Sequence, residues 1–279
     1  MWFWYSLISA LFFGVGQVVV KKGQKDLPPL FDNLLATGVT LTVVAPLMLL
    51  SGIDWGSIRL VWLYPLAAAI LYMLYYYVLD KGKVSLTATL MSTYPAVTAL
   101  LSTFILRDIL SVWQIIAITM IILGTLLLDW KAFSRGIFNL SSWMAWGILG
   151  AVVIGIAEIL TKIATSQTSS STFTFLLSIS YIPALVLCYQ YDNKGREQLN
   201  KFSFKKLGTS LFGVALIELG LIPYNKAFSL GNAALVSAVS ASRIVVTVVL
   251  AWFLLKEDLN KFQFLGVSVI LTGVILSSL

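Results

Sequence analysis

The stretch that most constrains this chain is the apolar run 233–255, AALVSAVSASRIVVTVVLAWFLL, which holds one formal charge, Arg243, near its middle. At about 1.5 Å per residue, a helix of this length crosses the roughly 30 Å hydrocarbon layer of a bilayer. Arg243 then lies near the midplane, where an arginine costs at least about 2.5–3.5 kcal/mol on insertion scales and must face protein or water. Ser237, Ser240, Arg243 and Thr247 recur at helical spacing, so one polar stripe carries the charge along an otherwise apolar surface. Such a helix needs other helices around it.

The chain supplies them. Apolar runs can be marked at 2–20, 30–51, 60–79, 84–106, 112–128, 143–163, 172–191, 207–228, 233–255 and 262–279, joined by short connections. Charged residues are 11% of 279, against about 25% in an ordinary soluble domain, and the mean hydropathy is +0.92. This is the composition of a multipass integral membrane protein. The net charge of +7 belongs to basic loops flanking the membrane; a nucleic-acid surface would need a continuous basic face. One cysteine, Cys188, and no histidine remove disulfide frameworks, Cys/His zinc sites, haem ligation and histidine acid–base chemistry, so neither cofactor nor metal is expected. The first run has no basic leader and no small-residue cleavage site, and reads as the first membrane helix.

The sequence also repeats itself. A shift of 149 places Tyr75 on Tyr224, Gly82 on Gly231, Thr98 on Thr247, Asp108 on Glu257, Gln114 on Gln263 and Gly124 on Gly273. A shift of 141 places Trp2 on Trp143, Gly14 on Gly155 and Lys21 on Lys162. Shared apolar composition would align Leu and Val by chance, but not Gly, Gln, Tyr and acidic residues in one register. The expected fold is therefore all-α and transmembrane, ten helices forming two five-helix repeats: 1–129, a linker at 130–141, and 142–279. Because five is odd, the second copy enters the membrane from the opposite side, and inverted repeats of this kind surround a central cavity near the midplane. Ser111 with Gln114, and Asn260 with Gln263, fit capping boxes opening the fifth and tenth helices. Asp108 and Glu257 precede those starts, where the helix dipole favours negative charge.

The segments TYPAVTALLSTFILRDILSVWQIIAITMIILGTLLL (93–128) and SASRIVVTVVLAWFLLKEDLNKFQFLGVSVILTGVIL (240–276) resemble the end of an EamA-type repeat of the drug/metabolite transporter superfamily. FGVGQVVVKKG (13–23) is similar to the opening of that repeat. The resemblance spans the chain and implies ten helices, a central cavity and export or exchange of small metabolites, without implying a particular substrate. Departures are Asp108 where Glu is usual, Ala117 where Gly is common, and Arg243 at the position matched by Tyr94 in the first copy.

Of the 19 Lys and Arg residues, Arg243 is mid-run and four (Arg59, Arg107, Lys162, Lys226) fall on one side, leaving fourteen on the other. This bias puts both termini outside the cell membrane, whereas the resemblance implies termini inside.

Candidate substrate-binding residues follow from polarity inside apolar runs. Arg243 suits the carboxylate of a solute through its bidentate fork, or a static pair with Glu218. Glu218, once released, would bind a proton or an amine; Asn225 returns to its face. Glu158 is followed by Lys162 at i+4, which suits an ion pair, and the first-copy equivalent of Glu158 is Gln17. Tyr72, Tyr76 and Tyr94 offer flat walls with hydroxyl handles, and Ser240 shares the stripe of Arg243. The expected function is a transporter exporting a small organic solute by alternating access, with membrane lipid around it, proton coupling through a carboxylate, and no nucleic-acid partner. The alternatives are a flippase or transporter of a lipid-linked substrate and, against the absence of HExxH, GxSxG and histidine, a membrane enzyme. A midplane charge and the lack of a filter motif argue against a channel.

Overall fold

The computed structural model describes residues 1–23, 29–81, 90–128, 130, 142–200, 208–255 and 260–278, and every regular element among them is helical. The principal helices are α1 (Trp2–Gly23), α2 (Pro29–Leu50), α3 (Leu63–Lys81), α4 (Tyr94–Leu106), α5 (Val112–Leu128), α6 (Ser142–Gln167), α7 (Ser170–Tyr191), α8 (Gly208–Leu230), α9a (Ala233–Ala241), α9b (Arg243–Leu255) and α10 (Lys261–Leu276). Six spans among the described residues are long and apolar enough to cross a bilayer: Trp2–Val20, Pro29–Leu50, Met144–Gln167, Ser170–Tyr191, Leu211–Leu230 and Ala233–Leu250. Helices α3, α4, α5 and α10 supply shorter apolar segments.

Local chemistry explains where these helices deviate. Pro46 lacks an N–H and its ring would clash with the preceding turn, so α2 widens to π-helix at Thr40–Val44, where the Ala45 N–H reaches the Thr40 carbonyl. Gly52, at φ +91°, adopts the left-handed conformation just after α2 ends. The capping boxes form as expected. Ser111 Oγ accepts from the Gln114 N–H and Gln114 Oε1 from the Ser111 N–H, at 3.2 and 3.0 Å. Asn260 and Gln263 exchange the same two bonds at 3.0 Å each.

The run 233–255 is not the continuous helix its composition predicts. It breaks at Ser242, whose hydroxyl donates to the Val239 carbonyl (2.6 Å) while its N–H donates to the same oxygen (3.1 Å). A serine bonded back to the preceding turn competes with the helical ladder, so Arg243 becomes the first residue of α9b. The same break stands 149 residues earlier. Thr93 Oγ1 and N–H donate to the Leu90 carbonyl at 2.7 and 3.1 Å, and α4 resumes at Tyr94 before Pro95.

Small residues set the helix spacings. A Cβ on Gly124 would lie 2.6 Å from Ile270 Cγ1 and 2.9 Å from the Gly266 carbonyl, and one on Gly273 would lie 2.8 Å from the Ala117 carbonyl. Shifting 124 and 117 by 149 gives 273 and 266, so these are the same contact made twice between α5 and α10. Similarly, a Cβ on Gly14 would sit 2.6 Å from Val246 Cβ, and one on Gly155 2.7 Å from Val97 Cγ1. Small residues let backbones approach where lipid provides no hydrophobic drive for association.

At one end of the bundle the linkers are tied together. Ser57 Oγ lies 2.5 Å from Thr168 Oγ1, Asp54 N–H donates to Thr172 Oγ1 (2.9 Å), and Ser171 Oγ to the Gly52 carbonyl (2.8 Å). Trp2, at the start of α1, packs on Gly231 at this same α8–α9 end. Large apolar side chains including Trp4, Phe104, Trp113, Phe212, Phe253 and Phe264 are exposed on the outer surface, as a lipid environment requires.

Candidate functional site

A polar cluster lies inside the bundle where α1, α4, α6, α8 and α9 meet. Its centre is Glu158 on α6, fully buried. Glu158 Oε2 accepts from Thr98 Oγ1 of α4 and Ser237 Oγ of α9a, both at 2.5 Å, and Oε1 accepts from the Tyr224 hydroxyl of α8. Three O–H donors replace the water a carboxylate would hold in solution, which is the condition for keeping a charge at zero exposure. Tyr224 is positioned by ring contacts with Phe13 of α1 (5.5 Å) and Phe228 (4.9 Å), both edge-on.

Arg243 forms the other half of the cluster. Its guanidinium carbon lies 5.5 Å from the Phe13 ring centre and 5.6 Å from that of Tyr94, both within cation–π range. The side chain keeps part of its surface accessible, and among the described residues no hydrogen bond or ion pair reaches the guanidinium. Tyr94 is 2% exposed, and its hydroxyl has no hydrogen-bond partner among the described residues. Tyr94 and Arg243 stand 149 residues apart, at the shift that aligns the sequence with itself, and they touch each other. The Glu158 contact is likewise repeated: Thr247, equivalent to Thr98, donates to Gln17 Oε1 at 3.3 Å, and Gln17 is the equivalent of Glu158.

Several expectations are corrected. Arg243 does not pair with Glu218. Positions 218 and 224 are six residues apart on α8, about 600° of helical rotation, so they face different ways, and Tyr224 is the one that meets the cluster. Glu218 is 4% exposed and its Oε2 has no hydrogen-bond partner among the described residues. Asn225, one stripe with Glu218, donates to Thr174 Oγ1 of α7 at 2.9 Å, away from Arg243. Glu158 does not pair with Lys162 either. Lys162 Nζ donates to the carbonyls of Phe228 (2.9 Å) and Gly231 (2.8 Å), capping the C-terminal end of α8, where a cation meets the negative end of the dipole. Asp108, just before α5, is held above the usual carboxylate range by burial, with the charge of Lys162 acting in the opposite direction. Ser111 takes the capping position at that helix start.

Of the remaining expected residues, Tyr72 lies 3.5 Å from Thr161 Oγ1, one turn beyond Glu158. Ser240 is fully buried and 3.2 Å from Ser9 Oγ, joining α9a to α1. The Tyr76 side chain, Glu257 and the linker 131–141 lie outside the described residues. The site residues that sequence reasoning passed over are Thr98, Ser237, Tyr224 and Phe13. The first three carried a signal: Thr98 and Tyr224 belong to the repeat matches, and Ser237 lies on the stripe of Arg243. None of the expected site residues with a described side chain lines the cavity of about 400 Å³ between α3 and α7, which is bounded by Ile70, Leu74, Tyr77, Leu187, Cys188 and Asp192 among others.

Comparison with known proteins follows the same division of the chain. An uncharacterized protein of Methanocaldococcus jannaschii is 32% identical over 129 residues, covering 44% of this chain and 93% of the relative. An uncharacterized transporter from the cobO 3' region of a Sinorhizobium species is 24% identical over 135 residues, covering 48% of this chain and 95% of the relative. A solved crystal structure superposes with a TM-score of 0.79 at 14% identity, over 99% of this chain and 96% of that one, and shows the same fold. The model of the EamA-like transporter family matches residues 1–129 and again 141–279. This chain belongs to the EamA-like transporter family.

Proposed function

We propose that this protein moves a small organic solute carrying an anionic group across the membrane by alternating access, and that Arg243 and Tyr94 receive that group. All ten apolar helices cross the bilayer in this reading, and the chain is two inverted five-helix halves, 1–129 and 142–279, around the Tyr94–Arg243 junction. The recurrence of four separate contacts at fixed shifts supports the two-copy organisation. So do the relatives that are almost fully covered by half of this chain.

The observation that carries the proposal is the pairing of unused donors. A guanidinium with no acceptor among the described residues lies over the ring of a buried tyrosine whose hydroxyl has no partner among them either, and both would be satisfied by a carboxylate or similar oxyanion. Phe13 and Tyr94 flank the guanidinium, and Tyr72 adds a third aromatic wall on the side of Glu158. A site at the junction of two halves stays in place while the halves rock around it, which is what exposure to either face requires. Such a carrier performs no bond chemistry, in keeping with a family of transporters. Export is the direction we assign, with both termini outside the cell membrane by the Lys/Arg bias.

The test is transport in proteoliposomes by the purified protein across a panel of organic anions, amino acids and cations. Arg243→Ala is expected to insert and fold but to lose anion transport; wild-type rates in that variant would remove Arg243 from the mechanism. The apolar cavity between α3 and α7 favours a second reading, a lipid-linked substrate whose chain occupies that groove while its head group meets Arg243. Transbilayer movement of a lipid-linked anion, with no movement of its water-soluble head group alone, would select it.

A further inference from the structure

We propose that Glu158 is the proton site of the transport cycle: ionised, it clasps α4, α8 and α9a to α6 and holds that end of the bundle shut, and taking up a proton releases the clasp. The inference rests on the transport reading for its place in the cycle, but the clasp is testable without any solute.

An ionised carboxylate only accepts, so Thr98, Ser237 and Tyr224 can all donate to it at once. A protonated carboxyl carries an O–H of its own and loses acceptor strength, so at least one of the three hydroxyls is left without its charge-assisted partner in a site that excludes water. The three donors come from three helices, and the loss therefore falls on the contacts between elements.

In the other copy the equivalent contact is neutral and longer than the two 2.5 Å bonds that Glu158 Oε2 accepts. At the equivalent place the neutral Gln17 accepts from Thr247 at 3.3 Å, and the copies otherwise close through the same glycine and valine contacts. A titratable group thus stands at one end where the scaffold accepts a neutral one at the other. The titratable or charged groups facing Glu158 are Tyr72 from α3, Tyr94 from α4, Tyr224 from α8 and Arg243 from α9b. Lys162, on α6 itself, turns its ammonium to the end of α8. The phenols stay neutral and the guanidinium stays charged around neutral pH, which leaves the carboxyl of Glu158 as the member of the cluster able to change its charge.

Ser102, fully buried on α4 one turn beyond Thr98, reports the clasp. In a Cys188→Ala background, Ser102→Cys is labelled with a water-soluble maleimide in detergent, each rate being divided by that of the unfolded protein at the same pH. The normalised rate is expected to rise about tenfold or more from pH 8 to pH 5, since each pH unit of linked protonation supports a tenfold change in population. Glu158→Gln is expected to label fast at both pH values. Ser237→Ala, which keeps the carboxylate but removes one donor, is expected to move the midpoint about one unit higher. A flat profile in the parent, or a Glu158→Gln variant that keeps the pH dependence, overturns the proposal. So does loss of that dependence in Glu218→Gln instead. Should Glu158→Gln not fold, an unmoved Ser237→Ala midpoint overturns it as well. Because no solute enters this experiment, its failure is separable from failure of the anion-site reading.

Discussion

Replacing Tyr224 by Phe removes one oxygen and leaves the ring, which makes it the cleanest probe of the Glu158 cluster. The ring contacts with Phe13 and Phe228 should survive, since neither involves the hydroxyl. What is lost is a hydrogen bond to a fully buried carboxylate, a class worth about 1.5–3 kcal/mol against about 0.5–1.5 for a neutral pair. In a Glu158→Gln background the same substitution removes only a neutral bond. The double-mutant cycle should therefore show a coupling of about 1–2 kcal/mol between positions 158 and 224. The assay is reversible unfolding of the detergent-solubilised protein in mixed micelles of increasing denaturing detergent, followed by tryptophan fluorescence. Effects that add to within about 0.5 kcal/mol would refute the reasoning, because independent sites behave that way.

Three further outcomes follow from the geometry. Gly124→Val should destabilise the α5–α10 contact by at least about 1–3 kcal/mol, because even its Cβ would lie 2.6 Å from Ile270 Cγ1, and Gly273→Val should do the same from the opposite partner; unfolding midpoints check both. Lys162→Met leaves the Phe228 and Gly231 carbonyls without their shared donor and should lower stability by about 1–3 kcal/mol, with hydrogen exchange rising at the end of α8. Arg243→Lys keeps the charge but loses the planar fork, so anion affinity should fall about tenfold or more while the unfolding midpoint stays near that of the parent, read by a binding titration against a melt.

The helical class of the fold was legible because the apolar runs are long and the charges fall between them. A five-helix unit was suggested by Gly, Tyr, Gln and acidic residues returning at fixed shifts, and several contacts between residues at those shifts recur in three dimensions. Helix breaks were less legible. Ser242 looks like any small polar residue in an apolar run, and its bond back to Val239 is visible only in space. The site was half legible. Polar residues inside the runs pointed to Arg243, Glu158 and Tyr94, which the structure gathers in one cluster, but partners were assigned by proximity along single helices. A six-residue offset turned Glu218 away from Arg243, and Lys162 preferred the carbonyls of a helix end to the carboxylate four residues before it. Phe13 carried no polar signal, yet it flanks the guanidinium.

The central claim is that Arg243 is held for a ligand. Its most direct measurement is calorimetric titration of the purified protein with a panel of organic anions, in the parent and in Arg243→Ala. We expect at least one anion to bind the parent and to lose measurable affinity in the variant, with organic cations binding neither through this site. An anion that is transported by the parent and binds Arg243→Ala with unchanged affinity would contradict the account.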